Sequence, residues 1–172
     1  MQVSQALDLI ETLLRAAEHP DIVSVARYGR DNQPGGQSPA GVKAVHQSGT
    51  AAMLWAAEAP RDATPVPLPT EPIPPKWRAA RILVLAHQLL DVARPDQLLR
   101  WELCGQAGAD VPVAAALRLT ARDGSMIYLR GTAASGGSVE PETDRHPDYQ
   151  IPPGVRSCLQ AASAPSAERV SA

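Results

Sequence analysis

The chain contains no phenylalanine and only six aromatic residues among 172: Tyr28, Trp55, Trp77, Trp101, Tyr128 and Tyr149. Large rings contribute much of the buried area in ordinary cores, so this core has to be assembled from Leu, Val, Ile and Ala. Lysine is almost absent, at two residues against 14 arginines. With the abundant alanine, that bias is the signature of a GC-rich bacterial genome such as an actinobacterial one, not of a demand for guanidinium groups. Neither Lys43 nor Lys76 closes a glycine-rich phosphate loop, and no Gly-x-Gly-x-x-Gly or Gly-x-Ser-x-Gly occurs. Only two cysteines are present, Cys104 and Cys158, too far apart for a metal or redox motif. A disulfide between them is open, but a reducing compartment is the expectation.

Charge of one sign is also lacking: 16 basic and 18 acidic residues give a net charge of −2. Nothing there calls for a nucleic acid or an acidic membrane as partner. The N-terminal MQVSQALDLIETLL has Asp8 and Glu11 and no base before Arg15. It lacks the basic start of a signal peptide, and a cytoplasmic location is expected. The most apolar run, Pro75 to Arg94, is broken by His87 and Gln88. It falls short of the ~20 apolar residues of a membrane span.

That run is the chain's strongest element. Ile82, Leu85, Ala86, Leu89, Leu90 and Ala93 recur at helical spacing, and Leu83 and Val84 widen the stripe. Pro74-Pro75 suits a helix start and Arg94-Pro95 a helix end. Ser4–Glu18 reads as a second amphipathic helix, with Ile22–Tyr28 as a strand after His19-Pro20-Asp21. Val42–Ala57 reads as a hairpin about Ser48-Gly49, although its alanines leave a helix open for the second arm. Gln97–Cys104 alternates as a strand with Leu99, Trp101 and Leu103 on one face. Ala114–Thr132 is the clearest hairpin, turning at Asp123-Gly124. Seven prolines between Pro60 and Pro75 give an extended strap. The spacing Pro69-x-x-Pro72 also suits a docking peptide, but structure at both ends favours the strap.

The order helix, Pro-Asp, strand, loop, hairpin occurs twice at an offset of 75 residues. Coincidence and an internal duplication explain this equally well. The expected fold is α+β, two helix-plus-antiparallel-meander halves packed around a central buried helix. The units are residues 1–59, the strap 60–75, residues 76–136, and a Gly/Ser/Pro-rich tail 137–172 with a short helix at 155–162 and a mobile last ten residues.

No constellation specifies chemistry. His19, His46, His87 and His146 lack metal-ligand spacing. His46 is expected at the surface, His87 as a hydrogen-bonded helix residue, and Asp144–Asp148 as a solvated loop. No catalytic, metal or cofactor site is expected. Trp77, Trp101 and Tyr128 are candidates for a pocket or interface. Arg118, Arg122 and Arg130 are a candidate basic surface, with nucleic acid disfavoured because so few rings accompany them. The leading expectation is a non-catalytic protein-interaction or accessory module, binding a protein partner or its own copy. The alternative is a small-molecule-binding or enzymatic domain with a pocket between the central helix and the sheet.

Overall fold

The computed structural model describes residues 1–30, 32, 37–58, 63–106, 114–134, 136 and 140–163. The order is α1 (Val3–Ala16), β1 (Ile22–Tyr28), β2 (Gly41–His46), β3 (Ala51–Ala57), β4 (Ala63–Pro65), α2 (Arg78–Ala93), β5 (Leu98–Gln106), β6 (Ala116–Ala121), β7 (Met126–Ala134) and α3 (Gly154–Ser163). The fold is α+β. All seven strands form one antiparallel sheet in the order β1-β2-β3-β7-β6-β5-β4. The two meanders therefore meet edge to edge along β3 and β7 and share a single sheet.

Alternation along the strands decides which face the helices cover. Val42, Ala44, Ala52, Leu54, Leu117, Leu119, Ile127 and Leu129 are buried on one face. Against them pack Leu7, Ile10, Leu13 and Leu14 of α1 and Leu83, Ala86, Leu89 and Leu90 of α2. The buried hydrophobic residues described include no Trp or Tyr. α2 comes close enough to the sheet that a Cβ on Gly131 would lie 2.6 Å from the Ala79 carbonyl oxygen. α3 rests on α1 and α2, with Val155 fully buried. No described helix is long and apolar enough to cross a membrane.

Local chemistry sets the helix ends. α1 opens with the Gln5 side chain accepting the Gln2 N–H at 2.8 Å. α2 begins three residues after Pro75, because Trp77 N–H first closes a turn onto Pro74 at 3.0 Å. It ends at Arg94, which enters the left-handed region at φ 46° and donates its N–H to the Leu90 carbonyl at 2.8 Å.

The two hairpins are built alike. In one, His46 N–H bonds the Thr50 carbonyl and Gly49 N–H the His46 carbonyl, both at 2.9 Å. In the other, Ala121 bonds Ser125 at 2.9 Å and Gly124 bonds Ala121 at 3.0 Å. Gly49 at φ 79° and Gly124 at φ 83° take the position only glycine occupies without cost. The segment Val42–Ala57, open to two readings from sequence, is thus a hairpin. Its pairing, from Gly41↔Trp55 to Val45↔Ala51, recurs 75 residues later from Ala116↔Arg130 to Thr120↔Met126.

Three expectations need correction. A bulge between Leu98 and Arg100 turns Leu99 outward to 66% exposure, so it does not share a face with the buried Leu103. The proline-rich strap contains β4, which pairs with the β5 edge, and Val66 N–H bonds the Leu103 carbonyl at 2.8 Å. The segment from Glu140 onward, read as part of a loose tail, is tied to both helices through Glu140, Asp144 and Tyr149. Asp144–Asp148 is a loop with Arg145, Pro147 and Asp148 exposed, pinned at Asp144, which pairs with Arg81 and accepts the His146 N–H at 2.9 Å. Residues 164–172, within the stretch expected to be mobile, lie outside the described residues. Cys104 and Cys158 are both free thiols.

Candidate functional site: a groove along α2

The N-terminal end of α2 meets the turn between β2 and β3, and there the molecule buries charge. Arg78, the first residue of α2, is 3% exposed. Its guanidinium pairs with Asp21 on one side and with both carboxylate oxygens of Glu140 on the other, the Glu140 contacts at 2.9 and 2.5 Å. Glu140 also accepts from the Thr50 hydroxyl and, at 3.2 Å, from Ser48. Burial works to raise the Glu140 pKa, but hydrogen bonds from Arg78 and Thr50 outweigh it and bring it to about 2.

His46 completes the cluster. It is 7% exposed, which corrects the expectation of a surface residue. Its Nδ1 lies 3.2 Å from Asp21 Oδ2 and 3.2 Å from Arg78 Nη1. Arg78 can only donate and ionised Asp21 can only accept, so the two neighbours favour opposite tautomers. In either one, Nε2 is buried without a hydrogen-bond partner. Burial, then the Arg78 charge, lower the His46 pKa against the opposing pull of Asp21.

One turn along α2, Arg81 pairs with Asp144. His19 stands beside this pair, with its ring centroid 4.3 Å from that of Tyr149 and 6.4 Å from that of His146. Desolvation brings the His19 pKa down to about 4, overcoming Asp21. Tyr149 is anchored by its hydroxyl, which donates to the Ala17 carbonyl at 2.6 Å. His19, His46 and His146, scattered in sequence, are therefore neighbours.

This polar end opens into a cavity of about 660 Å³. Its floor is the flank of α2 carrying Val84, Leu85, Gln88 and Val92. One wall is the strap, through Pro69, Pro72 and Ile73; the other is the 147–151 segment, through Pro147 and Ile151. From Arg81 to Val92 the floor runs roughly 16 Å at ~1.5 Å per residue. The groove thus lies on the strap flank of α2. The helix face toward the sheet, where the sequence reading put a pocket, is filled by Leu83, Ala86 and Leu90, each fully buried.

The residues singled out from sequence lie elsewhere. Trp77 is 41% exposed at the start of α2. Trp101 donates its indole N–H to Asp91 Oδ1 at 2.8 Å. Tyr128 sits on the helix-free face of β7, opposite Arg118 on β6. The three do not converge. Arg118 is held by Glu102 at 2.5 and 3.0 Å, Arg122 donates to the Asp96 carbonyl, and Arg130 lies 5.9 Å above the Trp55 ring. His87 is 3.1 Å from the Asp91 carboxylate one helical turn on.

The groove residues missed from sequence were His19, Asp21, His46, Arg78, Arg81, Asp144 and Tyr149. The one available signal was the Arg78/Arg81 pair at the start of an otherwise apolar helix. Among the described residues, no group of three or more His, Cys, Asp or Glu could hold a metal ion. Set against known proteins, the chain matches no protein family, no curated protein and no solved structure.

Proposed function

We propose that the chain is a non-catalytic binding module that takes a small, largely apolar ligand into the groove along α2. The observation that carries this reading is the groove itself. At about 660 Å³, with Val84, Leu85 and Val92 on its floor and most of its charged groups gathered at one end, it has the size and lining of a small-molecule site. The two lining arginines are matched locally, Arg78 by Asp21 and Glu140 and Arg81 by Asp144, and the other charged lining residues, Glu71 and Asp91, are acidic. With both cations already paired, an anionic ligand has nothing to hold it there, and an uncharged one is favoured.

The same bonds argue against catalysis. Ser48 and Thr50 donate to Glu140 and not to a histidine, so neither of these hydroxyls is activated as a nucleophile. His46 Nε2 has no exposed surface from which to reach a substrate.

Titration with Nile red, an uncharged apolar dye that brightens in apolar sites, tests the reading. Saturable one-to-one binding to the intact chain is expected, lost in Leu85→Arg, which fills the groove floor with a charged chain. Equal binding by both proteins, or none by either, rejects it.

Two further parts of the reading stand beside this one. The matched pairing of the two hairpins and the placing of Gly49 and Gly124 support an internal duplication at an offset of 75. Superposing residues 4–57 on 79–132 tests it, and a different helix side would reject it. The two free thiols, both raised in pKa by burial, support a reducing, cytoplasmic setting.

A further inference from the structure

The sheet face opposite the helices carries a charge that the rest of the chain does not. Its outward positions are fixed by the pairing: Lys43 on β2 opposite Met53 on β3, Trp55 opposite Arg130 on β7, and Tyr128 opposite Arg118 on β6. Arg100 and Glu102 of β5 complete the row. Among the described residues, four bases thus face one acid on these strands, giving +3, within a chain whose net charge is −2. Glu102 is shared by Arg118 at 2.5 Å and Arg100 at 3.4 Å. Lys43 and Arg130 are exposed, with no carboxylate within ion-pair distance among the described residues. Between them lie the partly buried, adaptable Met53 and Trp55, and the exposed Met126 closes the row at 62%.

We infer that this face docks an acidic polypeptide segment. Charge complementarity selects the occupant. A second copy of the chain would set +3 against +3, so self-association through this face is disfavoured. A single-stranded nucleic acid needs open rings on which bases stack. Here Trp55 is covered by Arg130, Tyr28 packs on Gly41, and Tyr128 is only partly exposed opposite Arg118. Lys43 and Arg118 occupy matching places in their hairpins, three strands apart and offset by the four residues from Tyr128 to Thr132 on β7, roughly 20 Å at ~4.8 Å per strand and ~3.4 Å per residue. Arg130 lies between them. An extended segment laid along this diagonal presents alternate side chains about 7 Å apart, so carboxylates one or two repeats apart reach successive cations while apolar residues reach Met53 and Trp55.

Fluorescence polarisation with a labelled (Glu-Leu)₆ peptide and the full chain tests this. Saturable binding that weakens from 50 to 300 mM salt is expected, with at least tenfold loss in Lys43→Glu/Arg130→Glu. A labelled (Lys-Leu)₆ peptide should not bind. Both substitutions are at exposed positions, and an unchanged melting temperature separates lost docking from lost folding. Leu85→Arg should leave peptide binding intact, which keeps this inference independent of the groove. Equal binding of the acidic and basic peptides would overturn it. So would binding that survives the double reversal, or oligo(dT) binding more tightly than the acidic peptide.

Discussion

Two helix–turn junctions in this molecule share a plan and differ in chemistry. At one, the start of α2 meets the β2–β3 turn through Arg78, Ser48 and Thr50. At the other, the start of α1 meets the β6–β7 turn, where the Met1 amine bonds Ser125 at 2.9 Å and pairs with Asp123. The first is buried: the side chains of Arg78, Asp21 and Glu140 are 3, 12 and 15% exposed. The Asp123 side chain in the second is 56% exposed. Burial turns the same kind of contact into a different object. Water reaches Asp123 in the second junction and can take its place beside the Met1 amine. At the first, every charge depends on the others, because removing one strands its partners away from water.

The largest expected effect follows from that dependence. Arg78→Met leaves Asp21 and Glu140 buried without their cation. It should lower the unfolding free energy by about 3–5 kcal/mol in urea denaturation; a loss below about 1 kcal/mol would mean the cluster is solvated after all. A smaller effect is expected where α2 touches the sheet. Gly131→Ala puts a methyl 2.6 Å from the Ala79 carbonyl oxygen, a backbone atom that cannot turn aside. Overpacking of this kind costs about 1–3 kcal/mol, and thermal denaturation should show it.

Acid should affect the two junctions unequally. The His19 pKa falls from 6.5 to about 4 on folding, and His46 is lowered as well. The unfolded chain then takes up these protons first as pH falls, so stability is full above about 6.5 and declines toward 4. Glu140, at about 2 against 4.5 unfolded, adds a second loss between those values. A melting temperature that falls in both windows is expected, with the upper decline reduced in His19→Asn. A flat profile between pH 7 and 4 would contradict the burial of these rings. The smallest effect belongs to the exposed junction: Asp123→Asn should leave the melting temperature unchanged within error.

The sequence made the local features legible and left the cluster hidden, for a physical reason. Asp123-Gly124 and Ser48-Gly49 mark turns because glycine alone enters the left-handed region freely, and the hairpins follow from them. The stripe of α2 was readable because its spacing repeats within 16 residues. The bulge that turns Leu99 outward was not, because alternation alone does not reveal a skipped pairing. His46 looked like an exposed residue before a turn. Its partners Asp21 and Arg78 are 25 and 32 residues away, and Glu140, which fixes Arg78, is 62 residues beyond Arg78. A buried polar group is recognisable only from its partners, and these come from four separate stretches of chain. The segment after Gly136 looked loose because its composition is poor in apolar residues. It is held by polar anchors, Glu140, Asp144 and Tyr149, which hydropathy does not register.

A second cavity sharpens the comparison. Beside the exposed junction, a space of about 550 Å³ lies along α1, lined by Gln5, Leu9 and Thr12 together with Arg122 and Asp123. The ligand site proposed above is the α2 groove, walled by the strap and the 147–151 segment. The most direct measurement is amide chemical-shift mapping of the intact chain titrated with Nile red. Shifts confined to residues 69–73, 81–92 and 144–151 are predicted. Shifts along residues 5–12 and 121–123, or spread evenly over the molecule, would contradict it.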